Sequence, residues 1–154
     1  MTTPFFADKS DASTSNGNGD GRRERLRFTS FSFTRSPSAL CKASVELEWM
    51  GGERYLGRAE GNASPAGDLR LAAEATLRAI AQFSKEAISF EVLGVKALRA
   101  FDANVVIVSV LARREGAEHR LLGCHLADED SLRSAVLATL QATNRILGQA
   151  VSRD

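Results

Sequence analysis

The chain has 154 residues, 44% hydrophobic and 25% charged, with 20 Lys+Arg against 19 Asp+Glu. That is the composition of one ordinary globular domain, and a net charge of +1 makes no general case for nucleic acid or an anionic membrane. No apolar run approaches the roughly 18 residues of a membrane-spanning helix, and the start MTTPFFADKSD lacks the basic and apolar regions of a secretory leader, so a cytoplasmic location is expected.

Residues 1–22 are mostly Ser, Thr, Asn, Asp and Gly, with almost no apolar content after Phe6. Such a segment buries too little surface to offset its ordering entropy and reads as a disordered tail. The remainder, residues 23–154, reads as one domain of two units, about 23–84 and 85–148. In the first unit Leu26 and Phe28, then Phe31 and Phe33, alternate with polar residues. The phase slips at Thr29–Ser30, which predicts a bulge. Residues 41–49 are the cleanest strand: Cys41, Ala43, Val45, Leu47 and Trp49 point one way, and Lys42, Ser44, Glu46 and Glu48 the other. Residues 50–53, Met-Gly-Gly-Glu, supply the positive φ of a hairpin turn. A return strand runs from Arg54 to about Glu60, and residues 61–67 read as a loop of small residues. A helix follows to Phe83, with Asp68 favoured as its N-cap over the earlier candidate Ser64 before Pro65.

The second unit repeats this order. Residues 88–98 read as a strand with its own slip near Gly94. Residues 105–112 are apolar except for Ser109, which predicts a central strand buried on both faces. Residues 113–117 turn the chain, residues 119–126 return, and acid at 128–130 favours a helix start. That helix is expected to stop at Gly148. The two units share residues as well as order. With Leu69 placed on Leu132, Arg70, Ala72, Ala75, Thr76, Leu77 and Ala79 match Arg133, Ala135, Ala138, Thr139, Leu140 and Ala142 at an offset of 63. Leu56-Gly57 matches Leu122-Gly123 at an offset of 66, so the first copy carries three extra residues before its helix, assigned to a longer loop. The expected fold is α+β: two tandem βββα units about a pseudo-two-fold axis, with helices on an antiparallel or mixed sheet.

Little in the sequence carries chemistry. His119 lies beside a turn, and Cys124-His125 has no second ligand pair at metal-binding spacing. Adjacent strand residues point to opposite faces, so Cys124 and His125 make a poor nucleophile–base pair. Cys41 and Cys124 read as free thiols rather than a disulfide. No nucleophile elbow or phosphate loop is present, so no enzyme, metal or cofactor is expected. Arg22, Arg23, Arg25 and Arg27 make one basic cluster, read as a charged edge strand in preference to a nucleic-acid surface. The residues from Gly61 to Asp68 have the best functional claim, because a helix N-terminus can bind a carboxylate. The competing reading is a plain connection.

Two βββα units with glycine-bearing loops before alanine-rich helices resemble the C-terminal regulatory domain of 2-isopropylmalate synthases and citramalate synthases. Asp130-Ser131-Leu132-Arg133-Ser134-Ala135, with Asn144-Arg145 further on, is similar to that family's closing helix. Gly61-Asn62, Pro65 and Asp68 resemble its first loop, with Ala63 where the family has a second glycine. The resemblance spans residues 25–148 and implies a non-catalytic, small-molecule-sensing homodimer. On it, Gly61, Asn62, Ala63, Pro65 and Asp68 would face a branched-chain amino acid or related ligand, with Gly123 and Asp130 as second-loop counterparts. The alternative is a structural dimerisation or protein-interaction module without a small ligand.

Overall fold

The computed structural model describes residues 26–127 and 130–152. The tail, with Phe5, Phe6, Arg22, Arg23 and Arg25, and the acidic pair Asp128-Glu129 lie outside the described residues. The element order is β1 (Arg27–Arg35), β2 (Leu40–Glu48), a 3-10 turn (Met50–Gly52), β3 (Arg54–Asn62), α1 (Pro65–Phe83), β4 (Ser89–Ala100), β5 (Ala103–Arg114), β6 (Ala117–Leu126) and α2 (Ser131–Ser152). The strands form two separate sheets, β1-β2-β3 and β4-β5-β6, both wholly antiparallel. The fold is α+β, built as βββα twice. The two expected bulges stand at equivalent places, Phe28/Ser30 in β1 and Val92/Gly94 in β4.

Each helix covers the inner face of its own sheet, α1 on β2 and β3 and α2 on β5 and β6; the helices also touch each other, and α1 reaches β4. Cys41, Ala43, Val45 and Leu47 of β2 and Val106, Val108, Val110 and Ala112 of β5 are buried in one continuous core with the helix alanines. Aromatic rings close one edge of it, where Trp49 and Tyr55 stand 4.8 and 5.5 Å from Phe83.

The shared residues turn out to be packing residues. Gly57 lies opposite Val45, and Gly123 opposite Val108. A Cβ at Gly57 would collide with the Ala75 carbonyl and stand 2.5 Å from Ala79 N; at Gly123 it would collide with the Ala138 carbonyl and stand 2.7 Å from Ala142 N. Glycine on the strand and alanine on the helix therefore let two backbones meet. Thr76 and Thr139 are fully buried and satisfy their hydroxyls by donating to Ala72 O at 2.8 Å and Ala135 O at 2.7 Å. Arg70 Nη2 donates to Val92 O at 2.8 Å, while Arg133 lies 4.8 Å over the Phe28 ring. Each arginine thus reaches the bulge of the other unit's first strand.

Four expectations need correction. α1 starts at Pro65 with Ser64 as N-cap, its Oγ accepting Gly67 N–H, so the three extra residues form an added helical turn rather than a longer loop. Proline's fixed φ at the first helical position outweighs the weakening by Gly67. Gly61 and Asn62 belong to β3, paired with Cys41 and Leu40. α2 continues through Gly148 to Ser152, since an interior glycine costs only about 1 kcal/mol. Finally, β5 is central but buried on one face only: Val105, Ile107 and Leu111 are half-buried on the other.

Candidate functional site

Gly61, Asn62, Ala63, Pro65 and Asp68 all fall where β3 passes into α1. The polar groups there are turned to the chain itself. Ala63 N–H donates to Ala39 O at 2.9 Å, and Asp68 N–H donates to Ser64 O at 2.7 Å. The buried Asp68 carboxylate accepts Ser64 N–H at 3.3 Å through Oδ1 and Arg35 Nη2 at 2.9 Å through Oδ2. The hydrogen bond and charge of Asp68 raise the Arg35 guanidinium further above its ordinary value. Cys41 is buried nearby, and desolvation pushes its thiol up. Gly61 faces Leu71, whose side chain a Cβ would meet at 3.2 Å. This arrangement caps α1 and ties the end of β1 to it. Its one carboxylate is already engaged.

The proposed counterparts do not form a second loop site. Gly123 is buried in β6 beneath α2. Asp130 is the exposed N-cap of α2, its Oδ1 accepting Leu132 N–H at 3.1 Å and Arg133 N–H at 3.2 Å. His119 and His125 are exposed on β6. Cys124 pairs with Ile107 and His125 with Val106, rows that face opposite sides of the sheet. Cys41 and Cys124 are both free thiols. Among the described residues no three His, Cys, Asp or Glu side chains group as metal ligands, and no helix is long and apolar enough to cross a membrane.

A cleft of about 260 Å³ opens between α1 and β4, lined by Arg70, Glu74, Leu77, Arg78, Phe90 and Val92 among others. Its two arginines are engaged. Arg70 holds Glu74 at 3.2 Å and the Val92 carbonyl, and Arg78 holds the Arg58 carbonyl.

The largest departure from sequence reasoning is the outer face of the β4-β5-β6 sheet. Its cross-strand rows are Leu98–Val105–Leu126, Lys96–Ile107–Cys124, Gly94–Ser109–Leu122 and Glu91–Leu111–Arg120. Leu122 is 69% exposed and Leu126 52%. The signal is the continuous apolar run of residues 105–112, which asks for burial on two faces where the described residues supply one. Beyond this face, Phe101 is fully exposed in the two-residue turn joining β4 to β5, where Phe101 and Asp102 have φ of 52° and 61°. The turn carries no glycine to mark it; Asp102 accepts positive φ more readily than most residues, and Phe101 does not. No family model matches the chain, and no curated protein matches it.

Proposed function

We propose that this chain is a non-catalytic protein-association module whose working surface is the outer face of the β4-β5-β6 sheet. The observation that carries the reading is the contrast between the outer faces of two sheets built alike. One presents Lys42, Ser44, Glu46 and Glu48 from its middle strand, and the other Val105, Ile107, Ser109 and Leu111. Contiguous exposed apolar surface of this kind marks interaction sites. The reciprocal reach of Arg70 and Arg133 to Val92 and Phe28 supports a pseudo-two-fold relation between the units. The two free thiols are in keeping with a reducing, cytoplasmic setting. The test is photocrosslinking in cells. Leu122→p-benzoylphenylalanine should give protein adducts, and the same substitution at Ser44 should give none. Absence of adducts from position 122 would overturn the reading.

A second reading keeps the ligand-sensing role that the resemblance implies. It is favoured by the cleft between α1 and β4, which has room for a small molecule and carries Arg70 and Arg78 in its wall. Leucine, isoleucine, valine or their 2-oxo acids at 100 times the dissociation constant would add about 2.7 kcal/mol of stability. That is a shift of several degrees in Tm; flat melting curves across the panel exclude this reading.

A further inference from the structure

We propose that the partner on the outer face of the β4-β5-β6 sheet is a second copy of this chain. The two copies stack face to face, about a two-fold axis that lies in the interface along β5. The proposal rests on the association reading above and goes further by fixing the occupant and its orientation.

Size permits it. Strands of 10 to 12 residues, at about 3.4 Å per residue and about 4.8 Å between strands, give roughly 500 Å² of sheet per copy. Two copies together reach about 1,000 Å², where specific interfaces begin. Aligned sheet packing keeps strand directions within about 30°, so the axis lies within about 15° of β5.

Self-complementarity argues for this orientation. A two-fold axis along β5 sets β4 of one copy over β6 of the other, row upon row. Leu98 then faces Leu126 of the second copy. Leu122, the most exposed leucine on the face, comes over Gly94, where an added Cβ would meet nothing within 4 Å. A large side chain is thus opposed to a gap. At the end of the patch Glu91, which also holds Arg113 of its own sheet at 3.3 Å, comes over Arg120, and Arg120 over Glu91, so the rim pairs opposite charges in both directions. Lys96 comes over Cys124, where its aliphatic stem can lie on the apolar surface and its ammonium reach the edge. The polar outer face of β1-β2-β3 offers no such fit.

The experiment uses the full chain in two measurements. Sedimentation over two decades of concentration should show a monomer–dimer equilibrium. Alkylation of Cys124, which is exposed in the single chain, should slow in step with dimer formation, while the buried Cys41 stays silent in the folded protein. Leu122→Lys should weaken self-association about a hundredfold. Glu91→Arg and Arg120→Glu should each weaken it about tenfold, and together recover most of it, because only the swapped pair recreates both rim contacts; the Glu91–Arg113 pair is lost in Glu91→Arg and in the double variant alike. Circular dichroism confirms that each variant is folded. A dimer that leaves Cys124 freely reactive overturns the proposal, and so does a double swap no better than the single variants. A monomer with Cys124 protected at every concentration also overturns it, and would point to the chain's own residues 1–25 as the cover. A purified monomer with reactive Cys124, beside cellular adducts from position 122 to another protein, defeats self-pairing and leaves the association reading standing. No adducts defeats both.

Discussion

Val45 faces Gly57 in one sheet as Val108 faces Gly123 in the other, so the two sheets can be compared place by place. On the inner faces valine stands for valine and glycine for glycine. On the outer faces Ser44 stands where Ile107 does, Arg58 where Cys124 does, and Glu60 where Leu126 does. The strand glycine is held constant by backbone contact with a helix, which tolerates almost no change, while its inner-face neighbours differ, Ala43 against Val106 and Leu47 against Val110. The outer face has no such constraint and has diverged. In the first sheet it carries Arg27–Glu48 at 3.2 Å, Arg54–Glu46 at 3.1 Å and Lys42–Glu60 at 3.8 Å. Exposed pairs of this kind contribute about 0–1 kcal/mol each, so they keep the face wetted more than they hold the fold. In the second sheet Val105, Leu111 and Leu126 stand where Lys42, Glu48 and Glu60 do, an apolar exposure that is a liability unless something covers it, while Glu91, Ser109 and Arg120 keep their positions polar.

If the inner faces are equivalent, the strand glycines should be equally intolerant. Gly57→Ala and Gly123→Ala each force a Cβ against helix backbone that cannot rotate away. Each should lose about 3 kcal/mol or more, measured by urea unfolding. A large loss at one and a small loss at the other would mean that one helix can lift and the units are not alike in their packing. Gly94→Ala, with open space around it, should barely change the stability of the monomer.

This is also where sequence reasoning met its boundary. Strand order, both bulges, the inner faces and the repeat were legible, because alternation and bulge slips leave marks at fixed spacing. The glycines were legible as conserved between the copies but not in their purpose. A glycine that admits a helix and a glycine that admits a ligand look the same in one dimension, which is how Gly123 came to be assigned to a binding loop. Asp68 was legible as a helix-start acid, but Arg35, its partner from another strand, was not. The run of residues 105–112 was read as covered on both sides. The described residues bury only one of those faces.

The two helix-start aspartates sharpen the comparison at lower energy. Asp68 is buried, accepts Ser64 N–H and Arg35, and ties α1 to β1. Asp130 is an exposed N-cap. Asp68→Ala should lose about 2 kcal/mol, since it removes the acceptor of Ser64 N–H and the tie to the exposed Arg35. Asp130→Ala should lose about 1 kcal/mol. Equal losses would show that the tie to Arg35 adds nothing beyond the cap.

The two tight turns of the second sheet make the next pair. Glu115-Gly116, with φ of 52° and 81°, joins β5 to β6, and Phe101-Asp102 adopts the same positive-φ form between β4 and β5 without a glycine. Asp102→Gly should therefore raise stability by about 1 kcal/mol, and Gly116→Ala should lower it by about as much. No gain from Asp102→Gly would mean that aspartate meets the positive φ of this turn without measurable strain.

The smallest effect separates the thiols of the two faces. Cys41 lies on the inner face, where burial pushes its pKa above the ordinary 9.0. A raised pKa means that the folded state keeps its proton after the unfolded state has lost it. The contribution to stability is therefore complete below the unfolded value and is lost as pH rises through it toward the folded value. Tyr55, raised by burial from 10.0, acts in the same direction at higher pH. In a Cys124→Ala background, which leaves a single thiol, the urea midpoint should fall as pH rises above 9.0. Adding Cys41→Ala should flatten the first part of that fall and leave the part due to Tyr55. An unchanged slope would mean that the Cys41 thiol ionises as readily inside the fold as outside it.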